Sequence, residues 1–465
     1  MIPDRFPATT VDLIAHLIRM RTDNGVGGCV VKLNGHIDEA RLRRTIRLAL
    51  DAEPIVGCRL VDSWYRPYWQ RRVDLDQLDL CPVAEGDERS PAFLKFLTDS
   101  IDPEREPLMQ VRIFRGADDT ICFKGAHAVA DGPSAARFFH YLITLYRRLK
   151  DEPGYVPPPN VGGLRDYKSD VFKGRFGLRQ IPGLLRELKK DGAIPAATWT
   201  FPPYADPKAV HGYTLLKLPP RRVRALSRYG FERQCTMTSV VLAGIYLAAL
   251  KVFGLTSEDH ATFTATADMR RFLAVRRQEY AVSNMSAPGR FVMDPRRDRS
   301  FEVALLSVRD QLKRILKDPT SVPPAAALLV CLASLPFTVL RRVADKRIRQ
   351  ASESPGRRWG LANPGEVDLA LLHSDDVPVR DAFLFGPLVM GPGVAMISSI
   401  FRGSLTLTLG QSGRTIEAKV IRQLLEQVDR ELPFSEEGAG SISMLEADAP
   451  PEPAGAVSAR SARGT

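Results

Sequence analysis

The chain has 465 residues, 44% hydrophobic and 26% charged, the composition of a soluble globular protein rather than of a fibrous or disordered one. Its length exceeds what one hydrophobic core usually fills, so two lobes are expected. The net charge of +11 suits an acidic partner: the phosphates of a coenzyme, an acidic carrier protein or an anionic membrane surface. No arginine-rich tract with interleaved aromatics concentrates that charge, which argues against nucleic acid.

The six cysteines (Cys29, Cys58, Cys81, Cys122, Cys235 and Cys331) are scattered without a C-x-x-C pair. They read as reduced, mostly buried thiols of a cytoplasmic protein. The N-terminus lacks a basic stretch followed by an apolar one, so no signal peptide is expected. The longest apolar stretch, Ala325 to Leu340, is short for a bilayer span and contains Pro336, which favours a buried helix.

In chain order, Val11 to Met20 reads as a helix and Gly28 to Leu33 as a strand. Asp38 is a candidate N-cap for a helix with an apolar stripe of Leu42, Ile46, Ala49 and Leu50, ending near Glu53-Pro54. Ile55 to Val61 is strand-like. Gln110 to Phe114 and Thr120 to Gly125 pair across a polar turn, and His127 follows directly. Pro133 suits the first turn of a helix running through Phe139, Leu142, Tyr146 and Leu149.

Residues 1–155 thus form an N-terminal lobe, and Asp151 to Gly163 reads as linker. Residues 156–210 are a basic crossover with one helix near Leu184 to Lys190. Residues 211–434 form a C-terminal lobe. It opens with a strand over Tyr213 to Leu218 and a helix over Val240 to Leu250 capped by Thr236 or Thr238. Thr262 to Ala267, Ala281 to Met285, Arg290 to Met293, Ala395 to Ile400 and Ser404 to Leu409 are expected strands, and Ala418 to Leu432 a last helix. Residues 435–465, rich in Glu, Ala, Pro, Gly and Ser, are expected to be a disordered tail. No internal repeat is evident.

The chemistry concentrates in His127-Ala-Val-Ala-Asp131-Gly132, between hairpin and helix. A histidine suits general-base work, a carboxylate can orient it or anchor a turn, and glycine lets a backbone N–H approach a reacting carbonyl. Those parts point to acyl transfer. Ser134 lacks a G-x-S-x-G elbow and is not a nucleophile candidate. The remaining histidines show no metal-ligand spacing, and no phosphate-binding or dinucleotide fingerprint occurs.

The chain resembles the coenzyme A-dependent acyltransferase superfamily, with its chloramphenicol acetyltransferase-like fold. Alcohol acetyltransferases, polyketide-associated acyltransferases, wax ester synthases and condensation domains share that fold. The resemblance rests on Leu33 to Asp38, Glu53 to Leu60, Pro107-Leu108 before the hairpin, and H-x-x-x-D-G at His127, Asp131 and Gly132. It continues with Cys235 to Gly244, Asp268-Met-Arg270, Ser283-Asn-Met-Ser286 and Leu361-Ala-Asn-Pro-Gly365, covering about residues 10 to 432. Two features depart from parts of the group. Ala126 stands where many members have a second histidine, and Leu384-Phe-Gly-Pro does not reproduce the plant signature Asp-Phe-Gly-Trp-Gly.

The resemblance implies an α/β fold of two similar lobes with mixed sheets and an active site in a channel between them. It implies His127 as base, the Gly132 N–H as oxyanion donor, and Asp131 turned away from substrate toward an arginine, with Arg270 a candidate. Asn284, Ser286 and Asn363 are candidates for lining the acceptor or pantetheine channel. The expected donor is an acyl-coenzyme A or acyl-carrier thioester, used as co-substrate with no permanently bound cofactor. The expected acceptor is a hydroxyl or amine, with O-acyl transfer favoured, in secondary metabolism or lipid assembly. Peripheral membrane contact is compatible with the charge. A free-standing condensation enzyme using carrier-bound substrates is one alternative reading. A non-catalytic binding or scaffold descendant of the fold is the other.

Overall fold

The computed structural model describes residues 1–19, 24–163, 165, 182, 186, 189, 211–259, 261–273, 281–317, 335–353, 359–362, 377–389, 394–412 and 416–445. Most of the expected crossover helix near Leu184, most of the apolar Ala325 to Leu340 stretch, Asn363 and residues 446–465 lie outside them.

The elements in chain order begin β1 (Arg5–Pro7), α1 (Thr10–Arg19), β2 (Val26–Leu33) and α2 (Glu39–Ala52). A short 3-10 turn (Pro54–Gly57) precedes β3 (Cys58–Val61), β4 (Tyr68–Arg71), β5 (Val83–Glu85), α3 (Pro91–Thr98), β6 (Met109–Arg115), β7 (Asp119–Ala126) and α4 (Gly132–Asp151). The later part has β8 (Gly212–Leu218), α5 (Pro220–Glu232), α6 (Met237–Val252), β9 (Ala261–Asp268), β10 (Ser286–Met293), α7 (Phe301–Ile315) and α8 (Phe337–Glu353). It closes with β11 (Trp359–Ala362), β12 (Val379–Phe385), β13 (Ala395–Phe401), β14 (Ser404–Gln411), α9 (Ala418–Glu431) and β15 (Ser441–Leu445).

Local chemistry explains most boundaries. Asp38, Asp131 and Thr236 each accept a backbone N–H in the first turn of the helix that follows, replacing an intrahelical bond that the turn cannot make. The α6 helix is apolar on nearly every side and is buried almost throughout, as a core helix should be.

A five-stranded sheet runs β12-β2-β7-β6-β5, and a seven-stranded one runs β10-β9-β11-β13-β14-β8-β15. Each has its own core. One face of the first sheet packs Val31 and Phe123 against Ile46 of α2 and Leu142 of α4. The second sheet packs Leu216 and Leu407 against α6 and α9, through Val240, Ala243, Leu424 and Val428. A third cluster joins them: Val30, Phe114 and Phe383 on the other face of the first sheet meet Phe93 of α3, then Tyr213 and Leu445 of the second sheet.

Three expectations are corrected. Ile55 to Val61 is a 3-10 turn followed by a short strand, because Pro54 starts a tight turn. Ala281 to Met285 is irregular: the Ser283 carbonyl accepts from Arg270 and the Met285 N–H donates to Asp131, so neither serves a strand ladder. Residues 441–445 are ordered where a disordered tail was expected, since β15 pairs antiparallel with β8 from Ser441 to Leu445. That edge strand needs one buried anchor, Leu445, rather than a hydrophobic run.

The first sheet carries a buried lysine. Lys124 on β7 points toward α3, donating to the carbonyls of Phe96 (2.8 Å) and Asp99 (3.1 Å) with its Nζ 4.4 Å from the centre of the Phe96 ring. It satisfies orphan carbonyls at the C-terminal end of that helix, where a cation is favoured. Burial nevertheless pushes its pKa down to about 8. The unfolded chain, with an ordinary lysine, binds more protons between pH about 8 and about 10.5, so this group makes the fold more stable as pH rises through that window. Denaturant unfolding of wild type and Lys124→Met between neutral and alkaline pH will show a difference in stability that changes by about 3 kcal/mol. A difference constant with pH would show that the lysine is not the titrating group.

Candidate active site

The backbone of the turn after β7 is held by hydrogen bonds to its neighbours. The Ala126 N–H donates to the Leu108 carbonyl (2.8 Å), the His127 N–H to the Gly25 carbonyl (3.0 Å), and the Val129 N–H to the Ala126 carbonyl (3.1 Å). The Asn284 amide donates to the Ala128 carbonyl at 3.1 Å. Ala128 and Val129 are buried, whereas His127 is exposed and its ring has no hydrogen-bond partner among the described residues. The backbone is fixed and the imidazole faces open space.

That space is a cavity of about 250 Å³. Its walls come from both sheets: Gly27 and Gly125 from the first, Thr264, Thr266 and Ile397 from the second. Gly132, Ala135, Ala136 and Phe139 of α4 form another side, and Leu384, Phe385, Gly386 and Pro387 close it from the end of β12. The lining is overwhelmingly apolar. Among the described lining residues the titratable groups are His127 and Asp131.

Asp131 is fully engaged. Its carboxylate takes a bidentate pair from Arg270, Oδ1 to Nη2 and Oδ2 to Nη1, both at 3.0 Å. It also accepts the Ser134 N–H (3.0 Å), the Met285 N–H (2.8 Å) and the Ser286 hydroxyl (2.8 Å). Burial pushes the Asp131 carboxyl upward, but Arg270 and these donors outweigh it and hold the group below the usual carboxylate range. Burial likewise opposes the charge on Arg270, and Asp131 with Asp268 overcomes it. Arg270 further donates to the Ser134 hydroxyl (2.7 Å) and the Ser283 carbonyl (2.8 Å). The Asp131 carboxylate is thus taken up by structural partners. The pair staples the start of α4 to the β9–β10 connection.

The expected site residues divide accordingly. His127 and Gly132 stand at the cavity, and the Gly132 N–H, in the first turn of α4, has no intrahelical acceptor. Asn284 and Ser286 do not line the cavity. Asn284 fixes the Ala128 carbonyl beside His127, and Ser286 is bonded to Asp131. Asn363 lies outside the described residues.

Several contributors escaped sequence reading. Buried Asp12 accepts from the Trp69 indole, Arg165 and the Thr9 N–H, each at 3.0 Å, and Asn284 lies 3.5 Å from it. Nothing local marks Asp12 as more than a first-turn acid. Gly28 was legible in principle: a Cβ there would stand 1.9 Å from the Phe123 carbonyl oxygen, and glycine inside a strand signals such close approach. Glu53 accepts from the Asn160 amide (3.0 Å) and the Val282 N–H (3.3 Å), and burial raises its pKa. No cluster of His, Cys, Asp or Glu that could hold a metal occurs among the described residues.

The same architecture is seen in solved acetyltransferase and condensation-domain structures. Polyketide synthase associated protein 5 from Mycobacterium tuberculosis matches with a TM-score of 0.63 at 16% identity, covering 92% of this chain and 98% of that one. A trichothecene 15-O-acetyltransferase from Fusarium sporotrichioides matches with a TM-score of 0.67 at 12% identity, over 92% and 95%. The first condensation domain of the calcium-dependent antibiotic synthetase matches with a TM-score of 0.66 at 16% identity, over 94% and 99%. No protein-family model matches the sequence, and no curated protein matches it. At these identities the likeness establishes the fold.

Proposed function

We propose that the protein is an acyltransferase that moves an acyl group from a thioester to a hydroxyl or amine, with His127 as general base. The observation that carries this reading is the His127 ring, without a hydrogen-bond partner among the described residues, lining an apolar cavity beside the Gly132 N–H at the start of α4. The imidazole takes the proton of the acceptor as its oxygen or nitrogen attacks the thioester carbonyl. Charge that develops on the carbonyl oxygen meets the Gly132 N–H and the positive end of the α4 dipole. Collapse breaks the carbon–sulfur bond, and the imidazolium returns the proton to the departing thiolate. Hydroxyl acceptors are the favoured class, since the O-acetyltransferase neighbour shares this fold. The +11 charge supports a donor that carries phosphate, either coenzyme A or an acidic carrier bearing a phosphopantetheine arm.

The direct test is thiol release from acyl-coenzyme A thioesters, with and without pooled alcohols and amines. Release that depends on acceptor, at rates well above hydrolysis, is the expected result. If coenzyme A and acyl-loaded carrier protein both fail to give acceptor-dependent release, the enzymatic reading is wrong.

A further inference from the structure

Two apolar spaces lie end to end along α4. The first is the site cavity, walled on the helix side by Gly132, Ala135, Ala136 and Phe139. The second, of about 30 Å³, is walled by Leu142, Ile143 and Tyr146 of the same helix. These positions recur every three or four residues, so they form one continuous helix face. The opposing sheet is continuous in the same way. Gly125 of β7 lines the first space, and Phe123 and Ile121, at alternate positions of the same strand face, line the second.

An aromatic pair bridges the two faces between these spaces. The Phe123 and Phe139 rings have centroids 5.1 Å apart, tilted by 57°, and both side chains are buried. A well-packed core leaves few voids, and a void costs its lining atoms their contacts. Here an aromatic pair has empty apolar space on both sides. On the His127 side the helix offers Gly132, Ala135 and Ala136 with Phe138 beside them, and beyond the pair it offers only large residues, Leu142, Ile143 and Tyr146.

From Gly132 to Phe139 the helix rises about 10 Å, which an extended chain of roughly eight carbons spans. From Phe139 to Tyr146 it rises about 10 Å more. We propose that the Phe123–Phe139 pair is the stop that sets acyl-chain length: the site takes linear aliphatic acyl groups up to about octanoyl, with the second space closed off behind the rings. The proposal rests on the acyltransferase reading and adds to it the class of acyl group and the residue that limits it. Shortening Phe139 joins the two spaces and admits longer chains. Each methylene that gains an apolar environment is worth about fourfold in selectivity.

The test is kcat/KM across straight-chain acyl-coenzyme A donors from acetyl to palmitoyl, for wild type, Phe139→Ala and the milder Phe139→Leu. Wild type should favour hexanoyl and octanoyl donors and fall off sharply by myristoyl. Phe139→Ala should raise the myristoyl-to-hexanoyl ratio at least ~10-fold, with Phe139→Leu between. Ala136→Leu, which narrows the first space, should lower the octanoyl-to-acetyl ratio. Because ratios within one variant are read, a general loss of activity does not mimic the effect. Calorimetric binding of octanoate and myristate to the same folded variants gives a readout that needs no turnover. If turnover occurs but neither ratio moves in Phe139→Ala or Phe139→Leu, the stop is overturned while the transferase reading stands. If no thioester is turned over but myristate binding improves at least ~10-fold in Phe139→Ala, the stop is supported and the transferase reading fails.

Discussion

Replacing His127 with alanine will lower acceptor-dependent thiol release by ~10²-fold to ~10⁴-fold, the range a positioned general base contributes. On the proposed mechanism, in which the imidazole acts on the acceptor proton and the apolar cavity holds the acyl group, the loss should fall on kcat, with the donor KM changed only a few-fold. No other described side chain can replace it: Asp131, the remaining titratable group of the lining, is saturated by Arg270, Ser134, Met285 and Ser286. His127→Gln should be about as inactive as His127→Ala, since an amide fills part of the space and can hydrogen-bond but cannot exchange a proton at neutral pH. The ring is exposed and carries no protein hydrogen bond among the described residues, so both variants should unfold within a few degrees of wild type. Retention of more than about a third of wild-type kcat in His127→Ala would sink the role assigned to it.

The second large effect is on stability. Arg270→Met leaves a buried carboxylate without its cation, and breaking such a pair from one side typically costs about 3–5 kcal/mol. Asp131→Asn should cost less, because the amide keeps an acceptor for the Ser134 N–H at the helix cap while losing the charge. The double variant should be more stable than the sum of the two singles predicts, by roughly 1–3 kcal/mol of coupling, since neither charge is then stranded. Equilibrium denaturation of the four proteins measures this, and strict additivity would mean the pair is not energetically coupled. The acid side supplies an independent check. The folded-state pKa of Asp131 is depressed, so its contribution is complete above the ordinary carboxylate value of about 4 and is lost as pH falls toward the folded value. Asp131→Asn should therefore remove part of the acid-induced loss of stability that wild type shows below that pH. Activity should fall as well, because Arg270, Ser283 and Ser286 hold the loop that presents His127 and Gly132.

The hairpin, the helix after it and His127 between them were legible because each rests on local chemistry. Alternating β-branched and aromatic residues make β6 and β7, Asp131 caps α4, and Pro133 suits its first turn. The amphipathic stripe of α2 and the apolar run of α6 were equally plain. Asn284 and Ser286 were expected to line the acceptor or pantetheine channel, yet neither lines the cavity. They hold the His127 loop and Asp131 instead, and which way an asparagine or serine points at a crossing is settled by what it packs against. The Ala281 to Met285 segment looked like a strand for the same reason: its apolar residues are buried, but its backbone bonds go to Asp131 and Arg270.

The sequence by itself determined the cap, the turn and the periodic faces, since these depend on residues within a few positions of one another, and through them it placed His127 between hairpin and helix. Only the tertiary structure decided that β12, more than 200 residues downstream, pairs with β2 and brings Gly386 and Pro387 to the cavity. Only it chose Arg270 for Asp131 from 65 Lys and Arg residues, 139 positions away. Such pairings follow from how two sheets and their cores meet in space, and charge or hydropathy at a single position carries no record of its partner.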